Sequence, residues 1–169
     1  MKTIFDKKDM VKKSTKSKTI IRKILVPMDW SKTSFRALDN AINLAKFTKS
    51  EIVILHVLPL DVSSLSIVDL MKPLSSITPI KYEEKIKKLG NKIINGAELI
   101  CKQNKTKHSS KIISGNPAFD TLKFAHDKKN SIDLIIMGSK RKGHAEEILL
   151  GSVSYHVIDK SRLPVMIVK

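Results

Sequence analysis

Five short aliphatic runs, each four to seven residues long, punctuate the chain: Lys23–Asp29, Ile52–Leu58, Lys111–Ser114, Ile132–Met137 and Val165–Val168. They are too short for helices and nearly continuous in apolar residues, as strands buried on both faces are. Between them the apolar period changes to three or four. Phe35, Leu38, Ile42 and Ala45 form one such stripe, and Tyr82, Ile86, Leu89, Ile93, Ala97 and Ile100 form another. Strands alternating with helices predict an α/β fold: an open, five-stranded parallel sheet with helices on both faces, because each crossover must cover the sheet. At 169 residues this is a single domain.

Local signals place the helix ends. Ser31 is a candidate N-cap for a helix running to about Phe47. The long stripe predicts a helix over Lys81–Asn104. Asn116 reads as an N-cap with Pro117 at the first helical position, and a last helix is expected from Ser152 to about Ser161. Residues 1–20 are polar, lysine-rich and without sustained periodicity, which reads as a mobile basic tail ahead of a domain at 21–169. Pro59–Pro79 is irregular and long enough to suggest a lid, a partner contact or a variable surface excursion.

Composition excludes several classes. A single cysteine, Cys101, leaves no internal disulfide framework and fits a reducing compartment. No run approaches the roughly 18 apolar residues of a membrane span, and the basic N-terminus lacks the apolar core of a secretory signal. The expected location is cytoplasmic. Net charge is +16, of which the first twenty residues hold only seven Lys and two Asp. The excess is therefore spread over the surface. Without clustered aromatics or a nucleic-acid module, specific nucleic-acid binding is not expected, although salt-dependent association with polyanions is compatible with this charge.

The segment Gly138–Ser154, GSKRKGHAEEILLGSVS, follows the fourth apolar run directly. A strand that empties into a glycine-broken, basic loop and then a helix start presents N–H groups to an anion. Gly138 and Gly143 have the spacing of a P-loop, but His144 and Ala145 stand where Lys and Ser or Thr are required. A dinucleotide glycine fingerprint is also missing, since Lys23–Ser34 contains no glycine.

The chain resembles the universal stress protein family, whose nucleotide-binding members carry Gly-x2-Gly-x9-Gly-Ser/Thr near the C-terminus. Gly138, Gly151 and Ser152 match the first, third and fourth positions, and Arg141 replaces the second glycine. Ile24–Asp29 with Ser31, Ile52–Val57, Gly115-Asn116-Pro117 and Leu163–Val168 carry the rest of the resemblance, which covers about residues 22–169. It implies a Rossmann-like sheet of the adenine nucleotide alpha hydrolase type, in strand order 3-2-1-4-5. The ends of the first and fourth strands then lie side by side.

On that resemblance the site residues are Pro27, Asp29, Ile52, Gly138, Arg141, Gly143, Gly151, Ser152, Val153 and Ser154, and the ligand is ATP or AMP, with Mg2+ an optional companion. Asp29 suits a base or ribose hydroxyl, or simply a turn before Trp30-Ser31. Ile52 is aligned with the main-chain groups that family members use for the adenine. Ser152 is a helix cap, a ligand hydroxyl or both. Arg141 either blocks close approach of phosphate or, with Gly143 serving as the glycine, joins Lys140 and Lys142 in binding it. His56, inside an apolar strand, reads as a satisfied core imidazole.

No acidic pair, metal cluster or water-activating base accompanies the loop, so a binding protein without catalytic residues is expected, with slow ATP hydrolysis left open. The resemblance also implies a homodimer through Val165, Met166, Ile167 and Val168. Two other readings stand beside a nucleotide-dependent role in stress response or signalling. One is an interaction module that binds no nucleotide; the other is a polyanion-binding protein using its basic surface and tail.

Overall fold

The computed structural model describes residues 21–59, 79–139 and 150–169. The expected tail, most of the Pro59–Pro79 segment, and Arg141 and Gly143 lie outside them. Among the described residues nine elements alternate: β1 (Lys23–Pro27), α1 (Lys32–Thr48), β2 (Glu51–Pro59), α2 (Pro79–Gln103), β3 (His108–Gly115), α3 (Pro117–His126), β4 (Leu134–Gly138), α4 (Ser152–Lys160) and β5 (Val165–Val168). All neighbouring strands are parallel, in the order β3-β2-β1-β4-β5. The order reverses between β1 and β4.

Strand alternation divides the core into two layers. Ile24, Val26, Ile52, Ile54, Leu134 and Ile136 face α1 and α2, where Leu38, Ile42, Ile93 and Cys101 complete one cluster. Leu25, Val53, Leu55, Ile135 and Met137 face the other way and pack with Leu122 and Ala125 of α3 and Val157 of α4. Both faces of the sheet are thus covered, as continuous apolar strands require.

Local chemistry sets the helix starts. Ser31 caps α1 by accepting from the Ser34 N–H at 3.1 Å. Asn116 caps α3 by accepting from the N–H groups of Ala118 and Phe119, with Pro117 following it, as its sequence predicts. Three strand ends differ from expectation by two or three residues. β1 stops at Pro27, two residues early, because the chain turns out of the sheet beyond Met28. β4 begins at Leu134, since the Asp133 carboxylate is held by the N–H groups of Arg22 and Lys23 at 2.8 and 3.0 Å. β3 begins at His108, three residues before the expected Lys111. It is an edge strand, and its polar first turns do not read as an apolar run.

The two sheet edges differ in character. β3 carries exposed Ser109, Lys111 and Ser114 along its length. β5 is Val-Met-Ile-Val, with Met166 41% exposed.

Cys101 is fully buried, and burial pushes its thiol up to about 11, with Glu98 acting in the same direction. A thiol raised in the folded state favours folding less as pH climbs above its unfolded value of about 8.5. Stability should therefore fall between about pH 9 and 11, and the fall should be smaller in Cys101→Ala, which lacks the thiol's share. Near pH 8, a thiol reagent should modify Cys101 only as fast as the fold opens. Immediate modification in native buffer would contradict this burial.

Candidate functional site

The exits of β1, β2 and β4 surround a cavity of about 330 Å3 at the point where strand order reverses. Open α/β sheets bind ligands at this position, beyond the carboxyl ends of their strands.

On the β1 side, Pro27 leads to Met28 and Asp29. Asp29 Oδ1 accepts from the Ser31 N–H at 3.1 Å and the Ser31 hydroxyl at 2.6 Å. Trp30 takes φ +68° in this tight bend and meets Phe35 edge-to-face at 5.7 Å. Asp29 is therefore a turn-former, and it also lines the cavity.

On the β4 side, Gly138 is followed by Ser139, whose N–H donates to the Val168 carbonyl at 2.8 Å. The Ser139 carbonyl accepts from the Gly151 N–H at 2.7 Å and from the Ser154 hydroxyl at 2.8 Å. These bonds pin the first turn of α4 against the end of β4. Gly151 occupies the N-cap with no side-chain cap bond, and Ser152 is exposed beside it. The positive end of the α4 dipole and its first-turn N–H groups thus border the cavity. The buried Ser154 hydroxyl also donates to the Gly151 carbonyl at 2.9 Å; it holds the turn together.

Gly138 serves the packing as well. A Cβ there would stand 2.7 Å from the Thr33 carbonyl carbon and 2.8 Å from the Ser34 nitrogen. Only a glycine lets the start of α1 approach β4 this closely.

The remaining wall is apolar. Ile86, Leu89 and Ile93 of α2 line it together with Met28, Leu55, Val57 and Met137. His56 also borders the cavity, 8% exposed, its Nδ1 2.6 Å from the Met28 carbonyl.

Of the residues expected from sequence, Pro27, Asp29, Gly138, Gly151, Ser152, Val153 and Ser154 all line this one cavity. Ile52 does not. It pairs with Ile24 in the first half of β2, is fully buried in the core, and lies five residues before the cavity-lining Val57. Sequence reasoning missed Val57, Ser139 and the α2 wall. The main-chain groups of Val57 point to the same side as those of Leu55, which accepts from the Met28 N–H. Val57 stands past the last β1–β2 ladder pair, Pro27–Leu55, so those groups face the gap left by β1.

Among the described residues, no group of three or more His, Cys, Asp or Glu could hold a metal ion, and no helix is long and apolar enough to cross a membrane. Asp29 is the one carboxylate on the described cavity wall.

A parallel sheet with this order, with a helix start that lacks a side-chain cap and a carboxylate bordering one cavity at the reversal, defines an open α/β fold with a candidate ligand site. The chain belongs to the universal stress protein family, whose sequence model matches residues 21–169. Universal stress protein YxiE of Bacillus subtilis is 35% identical over 153 residues, spanning 89% of this chain and 100% of its own. Universal stress protein MJ0577 of Methanocaldococcus jannaschii is 34% identical over 155 residues, 88% of this chain and 94% of that one. Its solved structure matches with a TM-score of 0.67 at 33% identity, covering 89% of this chain and 96% of that chain.

More distant solved structures share the fold and hold nucleotides. The Archaeoglobus fulgidus protein is in complex with dAMP (20% identity, TM-score 0.61, 89% of this chain and 99% of that one). Another universal stress protein is in complex with cAMP (22%, 0.63, 89% and 98%), and an Arabidopsis thaliana family member has AMP bound (17%, 0.61, 88% and 91%).

Proposed function

We propose that the cavity binds an adenine nucleotide, AMP or ATP, and that this universal stress protein acts in stress response or signalling, the bound nucleotide setting its contacts with partners. One observation carries the reading. The uncapped first turn of α4, pinned by the Ser139 carbonyl, faces the same cavity as the Asp29 carboxylate from the neighbouring strand exit. The first suits phosphate, the second a ribose hydroxyl. The apolar wall of α2 and the main chain of Val57 suit a flat base. The dAMP, cAMP and AMP held by relatives of the same fold support this reading. In this reading the role is binding rather than catalysis, with slow ATP hydrolysis left open. The reading includes a homodimer through β5, the apolar sheet edge.

Calorimetric titration of the full chain with AMP and with ATP tests the ligand. Micromolar-range binding is expected, with Gly151→Val combined with Ser152→Ala abolishing it. Gly151 sits at φ −63° and ψ 154°, a conformation open to any L-residue, so this variant should fold. Absence of heat for both nucleotides at millimolar ligand would sink the reading and favour a nucleotide-independent interaction module.

A further inference from the structure

β1 and β2 run as a parallel ladder as far as Pro27–Leu55. One more backbone bond follows, from the Met28 N–H to the Leu55 carbonyl at 2.8 Å. In a parallel ladder the next bond would bring the Val57 N–H to the Met28 carbonyl. That carbonyl instead meets a side chain, since His56 Nδ1 lies 2.6 Å from it. A carbonyl only accepts, so Nδ1 carries the proton and donates.

The imidazole is held from behind. It is 8% exposed, and α2 passes it at Gly90. A Cβ at Gly90 would stand 3.1 Å from His56 Cδ2 and 2.8 Å from a Leu58 methyl carbon. Glycine is unfavourable inside a helix, and here it makes room for this ring. The backbone then turns through Asp29 and Trp30, directly after the carbonyl that His56 holds.

We infer that His56 is a positioning residue that keeps the β1–β2 fork open. Its imidazole takes the place of a ladder bond, so the Met28 carbonyl is satisfied while the Val57 main chain is left to a ligand. The Val57 main chain is the group that the nucleotide reading above assigns to the base. The ligand part of this inference rests on the nucleotide reading above; the fork itself does not.

Two variants and the single tryptophan test it. His56→Asn places an amide N–H where Nδ1–H stands, whereas His56→Leu removes the donor at similar size. Without ligand, acrylamide quenching of Trp30 should rise in His56→Leu and stay native-like in His56→Asn. AMP affinity should fall on the order of tenfold in His56→Leu and stay within about threefold of native in His56→Asn. In the native chain, long-range proton–nitrogen correlation spectra should find the His56 ring protonated at Nδ1.

Unchanged quenching and AMP affinity in a folded His56→Leu would overturn the inference, as would a ring unprotonated at Nδ1. If His56→Leu does not fold, the native ring spectrum and His56→Asn decide: a quenching change in His56→Asn would overturn it. A native chain that binds no adenine nucleotide would overturn the nucleotide reading alone, and the quenching comparison would still decide the fork.

Discussion

Gly138→Ala should lower stability by about 3 kcal/mol, a drop of about 10 °C in melting temperature for a chain of this size. The added methyl would meet the Thr33 carbonyl carbon and the Ser34 nitrogen at 2.7 and 2.8 Å. Those are backbone atoms at the start of α1, held by the Ser31 cap and unable to swing aside as a side chain would. Relief requires α1 to shift away from β4, and the Asp29 bend would move with it. Gly96→Ala is the matching control. Nothing lies within 4 Å of a Cβ at Gly96, so that substitution should gain up to about 1 kcal/mol from helix propensity. Calorimetric melting of both variants checks the contrast. A Gly138→Ala protein that melts within about 2 °C of native would mean that α1 yields freely at its capped end.

The second large effect is expected at β5. Its inner edge pairs with β4 from Ile135–Val165 to Gly138–Val168, and its outer edge offers main-chain groups flanked by aliphatic side chains. Two copies pairing antiparallel about a two-fold axis would satisfy those groups through a self-complementary contact. Ile167→Pro removes a main-chain donor from the strand, and Met166→Lys sets like charges near each other across the axis. Either should convert dimers to monomers that aggregate more readily on warming. Light scattering at tens of micromolar reads the outcome, and a monomeric native chain would dispose of the dimer.

The strand and helix pattern was legible because it is local. Apolar runs, the Ser31 and Asn116 caps and the Pro117 start each depend on neighbours in sequence. The site was legible only where a glycine or a strand end marked it. Ile52 and Val57 lie in one apolar run, and the stagger between β1 and β2, with Pro27 opposite Leu55, decides which of them reaches the cavity. No residue type announces that register. Gly138 reads in sequence as a position for ligand approach, yet its nearest constraint is Thr33, more than a hundred residues away. Ser154 likewise reads as a ligand hydroxyl, whereas its bonds run to Ser139 and Gly151. β3 extends beyond its apolar run because an edge strand need not be apolar throughout.

The unlike edges of the sheet bear on how far such pairing can spread. A strand with exposed Lys111 at its centre is a poor template for another strand, because an incoming copy would have to strip water from the ammonium group. If copies pair through β5, the receptive edge of both would be used up and β3 left at each outer margin. Growth would then terminate at the first addition, with β3 as the chain stopper that would keep an adhesive edge from seeding a fibril.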